Sequence, residues 1–114
     1  MMRFLHVSII WGGNGKPADQ LSAILNLAED WYSYGNGFYV LYTSEDLFTW
    51  QSRFVAIIDQ SSDSFFISEI PDVHRDTSGW MKKPFWDWLR ANKQPQTLVN
   101  QLSELARLLP PSNK

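Results

Sequence analysis

The fold is decided by residues Trp31 to Thr43, WYSYGNGFYVLYT. Two aromatic and β-branched runs, Trp31 to Tyr34 and Phe38 to Thr43, flank Gly35-Asn36-Gly37. Asn-Gly between such runs signals a hairpin, because both residues tolerate the positive φ that a tight turn demands. On each side of the hairpin lies a helix pattern and then a further strand pattern. Upstream, Leu21, Ile24, Leu25 and Ala28 recur at three- and four-residue spacing, so a helix from Pro17 to about Ala28 has one apolar face. Pro17 suits the first helical position, where the missing N–H would be unpaired anyway, and Asp19 complements the helix dipole. Before it, Phe4 to Trp11 is an apolar run ended by Gly12-Gly13-Asn14-Gly15, a strand entering a sharp turn. Downstream, Ser44 is placed to cap a helix with Glu45 and Asp46 in its first turn. Leu47, Trp50, Phe54, Ile57 and Ile58 form its stripe through about Asp59. Asp63 to Ile70, closed by Pro71, reads as a last strand.

This order predicts an α+β chain of the ferredoxin-like βαββαβ type, an antiparallel sheet with both helices on one face. Strand alternation assigns Leu5, Val7 and Ile9 to the helix-covered face and Phe4, His6, Ser8 and Ile10 to the other. A polar loop from Asp72 to Gly79 leads to a short helix from Lys83 to about Asn92, with Phe85, Trp88 and Leu89 on one side. A last helix from about Thr97 to Leu109 repeats Leu98, Leu102, Leu105 and Leu109 before Pro110 and Pro111. The expected organisation is a ferredoxin-like domain over residues 1–93 and a C-terminal helix and tail over 94–114.

The 114 residues suffice for one core, and six Trp, four Tyr and seven Phe supply apolar bulk for it. Ten Lys plus Arg against twelve Asp plus Glu give a net charge of −2, which disfavours a generic basic nucleic-acid binder. The absence of Cys excludes disulfides, thiol catalysis and thiolate metal sites. No apolar run approaches the roughly 20 residues of a membrane span, and no signal-peptide pattern opens the chain, so a cytoplasmic protein is expected.

Three segments together resemble a known family: Leu5-His6-Val7-Ser8-Ile9, the aromatic hairpin, and Gly79-Trp80-Met81-Lys82-Lys83-Pro84-Phe85-Trp86-Asp87-Trp88-Leu89. They are similar to the SinR-like relatives of the small CRISPR-associated endoribonucleases, a superfamily that includes VapD-type toxins. The resemblance covers roughly residues 3 to 91 and implies a ferredoxin-like fold and a homodimer. It also implies, for the nuclease members, an Asp at the end of the first strand, where two protomers bring carboxylates to one divalent metal. Here that position is Ile10, and no acid occurs from Met1 to Pro17. Isoleucine neither ligates Mg²⁺ nor activates water, so the nuclease mechanism does not carry over.

Other constellations are weaker. Gly12-Gly13-Asn14-Gly15-Lys16 stands between a strand and a helix, where a loop can cradle phosphate. A Walker loop, however, needs Gly where Ile10 stands and Ser or Thr where Pro17 stands. Glu69, Asp72, His74 and Asp76 offer four metal-ligand types within eight residues, although a solvated loop has the same composition. Lys82, Lys83, Arg90 and Lys93 form the one basic cluster. The aromatic second sheet face suits either base stacking or burial by protein, and burial is favoured because apolar surface is seldom left wet. Trp80, Trp86 and Trp88 suggest a ligand box less than they suggest a helix anchored to its sheet.

The expectation is a non-catalytic homodimeric binding or assembly protein, in a defence or toxin-related system as the resemblance implies, with no cofactor and no membrane association. A divalent-metal endoribonuclease with relocated acids, Glu69, Asp72 and Asp76 holding Mg²⁺ or Mn²⁺, is the first alternative. A single-stranded RNA binder is the second, with Lys82 and Lys83 as the candidate phosphate contacts.

Overall fold

The computed structural model describes residues 1–13 and 15–91. Its elements are β1 (Arg3–Ile10), α1 (Ala18–Leu25), β2 (Asp30–Gly35), β3 (Phe38–Thr43), α2 (Leu47–Val55), β4 (Ser64–Ile70) and α3 (Lys83–Arg90). The described residues thus form an α+β fold, with a four-stranded antiparallel sheet and three helices. The strands lie in the order β2-β3-β1-β4, so β1 is central and β2 and β4 are edges. The last helix expected from the leucine series, Lys93 and the boundary at residues 93 and 94 lie outside the described residues.

The hairpin forms where the Asn-Gly signal places it. Gly37 has φ +87, and a Cβ there would stand 2.3 Å from the Ile9 carbonyl oxygen, so both the turn and the close approach of β1 require glycine. In exchange, the Gly37 carbonyl accepts from Ile9 N at 2.8 Å, tying the turn to the central strand.

Alternation along β1 divides the core in two. Leu5, Val7 and Ile9 are buried with Tyr39 and Leu41 of β3 beneath Leu21 and Leu25 of α1 and Trp50 and Phe54 of α2. Phe4 is buried on the opposite face with Val40, Val73 and Leu89, and the partly buried Tyr34, Tyr42, Phe85 and Trp88 pack around them. The second face is therefore covered in part by α3 of the same chain. Trp88 sits edge-on to Phe4 at 6.2 Å between ring centroids, and its indole N–H donates to Asp30 at 2.8 Å.

Two helix starts differ from the sequence reading. Pro17 is the N-cap of α1 and not its first helical residue: its ψ of 80 is non-helical, while its carbonyl accepts the first helical hydrogen bond, from Leu21 N at 2.9 Å. Ser44 does not cap α2: its N–H and hydroxyl both donate to the Glu29 carboxylate at 3.3 Å. Asp46 is the cap, accepting from Thr49 N at 2.9 Å, because helical geometry begins only at Leu47. Glu45 consequently lies outside the first turn and forms a two-pronged ion pair with Arg53, at 2.7 and 2.6 Å. Both α1 and α2 also stop earlier than their apolar patterns, at Leu25 and Val55. Ala28 and Ile57 still pack on the core from the turns that follow.

Trp50 is fully buried and its indole N–H donates to the buried Thr43 hydroxyl at 3.1 Å. Trp50→Ala should cost about 3–5 kcal/mol in urea denaturation, through lost packing and the lost hydrogen bond to Thr43, whose hydroxyl still accepts from Glu45 N at 3.1 Å. A midpoint unchanged from wild type would remove Trp50 from the core.

Candidate functional site

Two features of the sheet are candidates. The first is a cavity of about 370 Å³ on the second face. Its floor is the cross-strand row Val40, His6 and Ser68, contributed by β3, β1 and β4. Its cover comes from the loop at Asp76 to Gly79, from Met81, and from Phe85, Trp86 and Leu89 of α3. Tyr34 of β2 reaches across β3 and hydrogen-bonds through its hydroxyl to His6 Nε2, while its ring stacks on Phe38 at 5.5 Å and 19°. Burial lowers the His6 pKa from its ordinary 6.5 and raises that of Tyr34, so at neutral pH both groups are uncharged.

The second feature is the outer edge of β4, which pairs with no other strand among the described residues. Phe66 on the second face is 66% exposed, and Phe48 of α2, beside the same edge, is 78% exposed. Leu47, Phe48, Phe65, Phe66 and Ile67 line a groove of about 360 Å³ along it.

Of the expected acids, Asp72 and Asp76 share one loop, the Asp72 N–H donating to the Asp76 carboxylate at 3.1 Å, while Glu69 stands apart from them. Glu69 lies in cross-strand register with Leu5, on the α1 and α2 face, and is ion-paired to Arg3 at 3.1 Å. Asp76 lines the cavity on the opposite face. Asp72 shapes its own loop, accepting from His74 N at 3.0 Å and Arg75 N at 3.2 Å. Asp76 takes the Arg75 guanidinium at 2.9 Å, a hydrogen bond that lowers its pKa. Among the described residues, no group of three or more His, Asp or Glu stands where it could hold a metal ion.

Comparisons with protein-family models, with curated proteins and with solved structures find no match to this chain. The basic pair is equally dispersed. Lys82 precedes α3 and is exposed, while Lys83 is ion-paired with Asp87 at 2.7 Å, one turn along the helix. Trp80 is fully exposed and contributes to no aromatic box. Trp86 is half-buried with the Arg90 guanidinium 5.0 Å from its ring centroid. Ile10, at the end of β1, is 70% exposed. No helix among the described residues is long and apolar enough to cross a membrane.

Sequence reading placed His6 on the second face but gave no sign of Tyr34, 28 residues away, as its partner. The pair arises from strand order, which no local spacing reports. Because His6 is held neutral in the folded chain, the unfolded chain binds more protons below about pH 6.5. The His6 contribution to stability is complete above that value and declines as pH falls through the lowered folded pKa. The melting temperature should drop between pH 7 and 5.5, and the drop should be smaller in His6→Gln. Equal slopes in the two proteins would assign the dependence to other groups.

Proposed function

We propose that this chain is a non-catalytic binding and assembly protein that works as a homodimer joined along β4. The observation that carries this reading is a β4 edge with no partner strand among the described residues, with Phe48 and Phe66 exposed beside it. An open strand edge presents a row of unpaired N–H and C=O groups, and natural proteins usually protect it with lysine, proline, a bulge or a covering element. The segment Ser64 to Ser68, SFFIS, carries no charge and no proline. Pairing of β4 with a second copy about a two-fold axis satisfies those groups and buries the two phenylalanines on opposite sides of a continuous sheet.

Within this reading the fold is ferredoxin-like. The element order, and the placement of β1 between β3 and β4, support it. The relationship to SinR-like proteins and to a defence or toxin-related setting rests on the sequence segments that carry the resemblance. Ile10 at the nuclease position and the separation of Glu69 from Asp76 favour assembly over metal-dependent cleavage. Coverage of Phe4, Tyr32 and Tyr34 by α3 disfavours base stacking along the whole sheet.

Light scattering at micromolar concentration should report about twice the 13.2 kDa chain mass. The double variant Phe48→Lys, Phe66→Lys should report a single chain mass with an unchanged far-ultraviolet spectrum. A wild-type chain that stays monomeric into the high micromolar range would overturn the homodimer.

A further inference from the structure

The cavity on the second face has a chemistry that the dimer reading does not use. We propose that it is a binding site for a small uncharged heteroaromatic molecule of the nucleobase class. Its volume of about 370 Å³ falls at the lower end of the range typical of small-molecule sites, about 300–1,000 Å³.

Charge narrows the ligand first. None of the described residues lining the cavity is Lys or Arg, and its one charged lining residue is the acid Asp76, so an anion meets no counter-charge in the wall. A cation is disfavoured for a different reason. The two groups that would receive it already hold arginines: Asp76 is paired with Arg75, and the Trp86 ring carries Arg90. The remaining surface is apolar and aromatic, with Phe85, Trp86, Met81 and Ile70 as walls, which suits a flat ring system.

Hydrogen bonding narrows it further. The His6 and Tyr34 pair can be arranged in two ways. If the tyrosine donates to Nε2, the imidazole keeps Nδ1–H as a donor. If Nε2–H donates to the tyrosine, Nδ1 is an acceptor and the phenol O–H remains to give. Ser68 beside His6, and Ser78 in the loop, each add a hydroxyl that both donates and accepts. A site with reversible donors and acceptors on one side and aromatic walls on the other matches a ring whose edge alternates donors and acceptors, as a nucleobase does. A purely apolar ring would leave these polar groups unpaired.

The test is a tryptophan-fluorescence titration and thermal-shift series on the full chain. The probes are adenine, cytosine and uracil, with orotate as the same ring carrying a carboxylate and indole as an apolar ring of similar size. At least one base should bind saturably, about tenfold or more tighter than orotate and indole, a difference of about 1.4 kcal/mol. Ser68→Phe, which fills the floor, should abolish binding while the mass by light scattering stays that of wild type, so failure here is distinguishable from failure of the dimer. Should Ser68→Phe fail to fold, Asp76→Asn serves instead, and it should narrow the gap between uracil and orotate. No saturable binding of any base at millimolar concentration would overturn the proposal. So would orotate or indole binding as tightly as the bases, or base binding unaffected by Ser68→Phe in a folded protein.

Discussion

Burial of β1 on both faces is the constraint on which the rest of this structure depends. A central strand between β3 and β4 cannot have a wet side unless an aromatic surface is left in water, and its alternating residues supply partners in both directions. Leu5, Val7 and Ile9 receive α1 and α2, and Phe4 receives α3. That division explains why the short third helix is rich in aromatics. Phe85 and Trp88 are the contacts that close the second face over Tyr32, Tyr34 and Phe4.

The closure is incomplete, and its two gaps are where function is proposed. Toward the Phe4 end, the aromatic side chains of α3 meet the sheet directly. Over His6 and Ser68, the loop before α3 stands off and leaves a cavity. Beyond it, towards Ile10, Phe38 and Phe66, nothing from the described part of the chain lies over the sheet, and these side chains are 43% to 70% exposed. The exposed stretch runs to the β4 edge, so the apolar surface meets a strand edge that is unpaired among the described residues.

Much of the fold was legible because its signals are local. The Asn36-Gly37 turn, the period of the α1 and α2 stripes and the alternation along β1 each depend on residues within a few positions of one another. Ser44 looks like a cap because Ser, Glu and Asp in succession offer several equivalent starts, and only the path of the chain out of β3 selects Asp46. The site was far less legible. Glu69, Asp72 and Asp76 are near neighbours in sequence, but strand pleat turns Glu69 to one face while the loop carries Asp76 to the other. The cavity unites His6, Tyr34, Ser68 and Trp86, whose proximity is a product of strand order and of where α3 docks.

The central claim is that α3 closes the second face within one chain and leaves the β4 edge to a second copy. Amide hydrogen exchange measured as a function of protein concentration tests it most directly. The account predicts that amides of Ser64 to Ile70 on the free side of β4 are protected at high concentration and lose protection on dilution, while those of β1 and β3 remain protected throughout. Protection of β4 that does not change with concentration, or β1 amides that open together with it, would contradict the account.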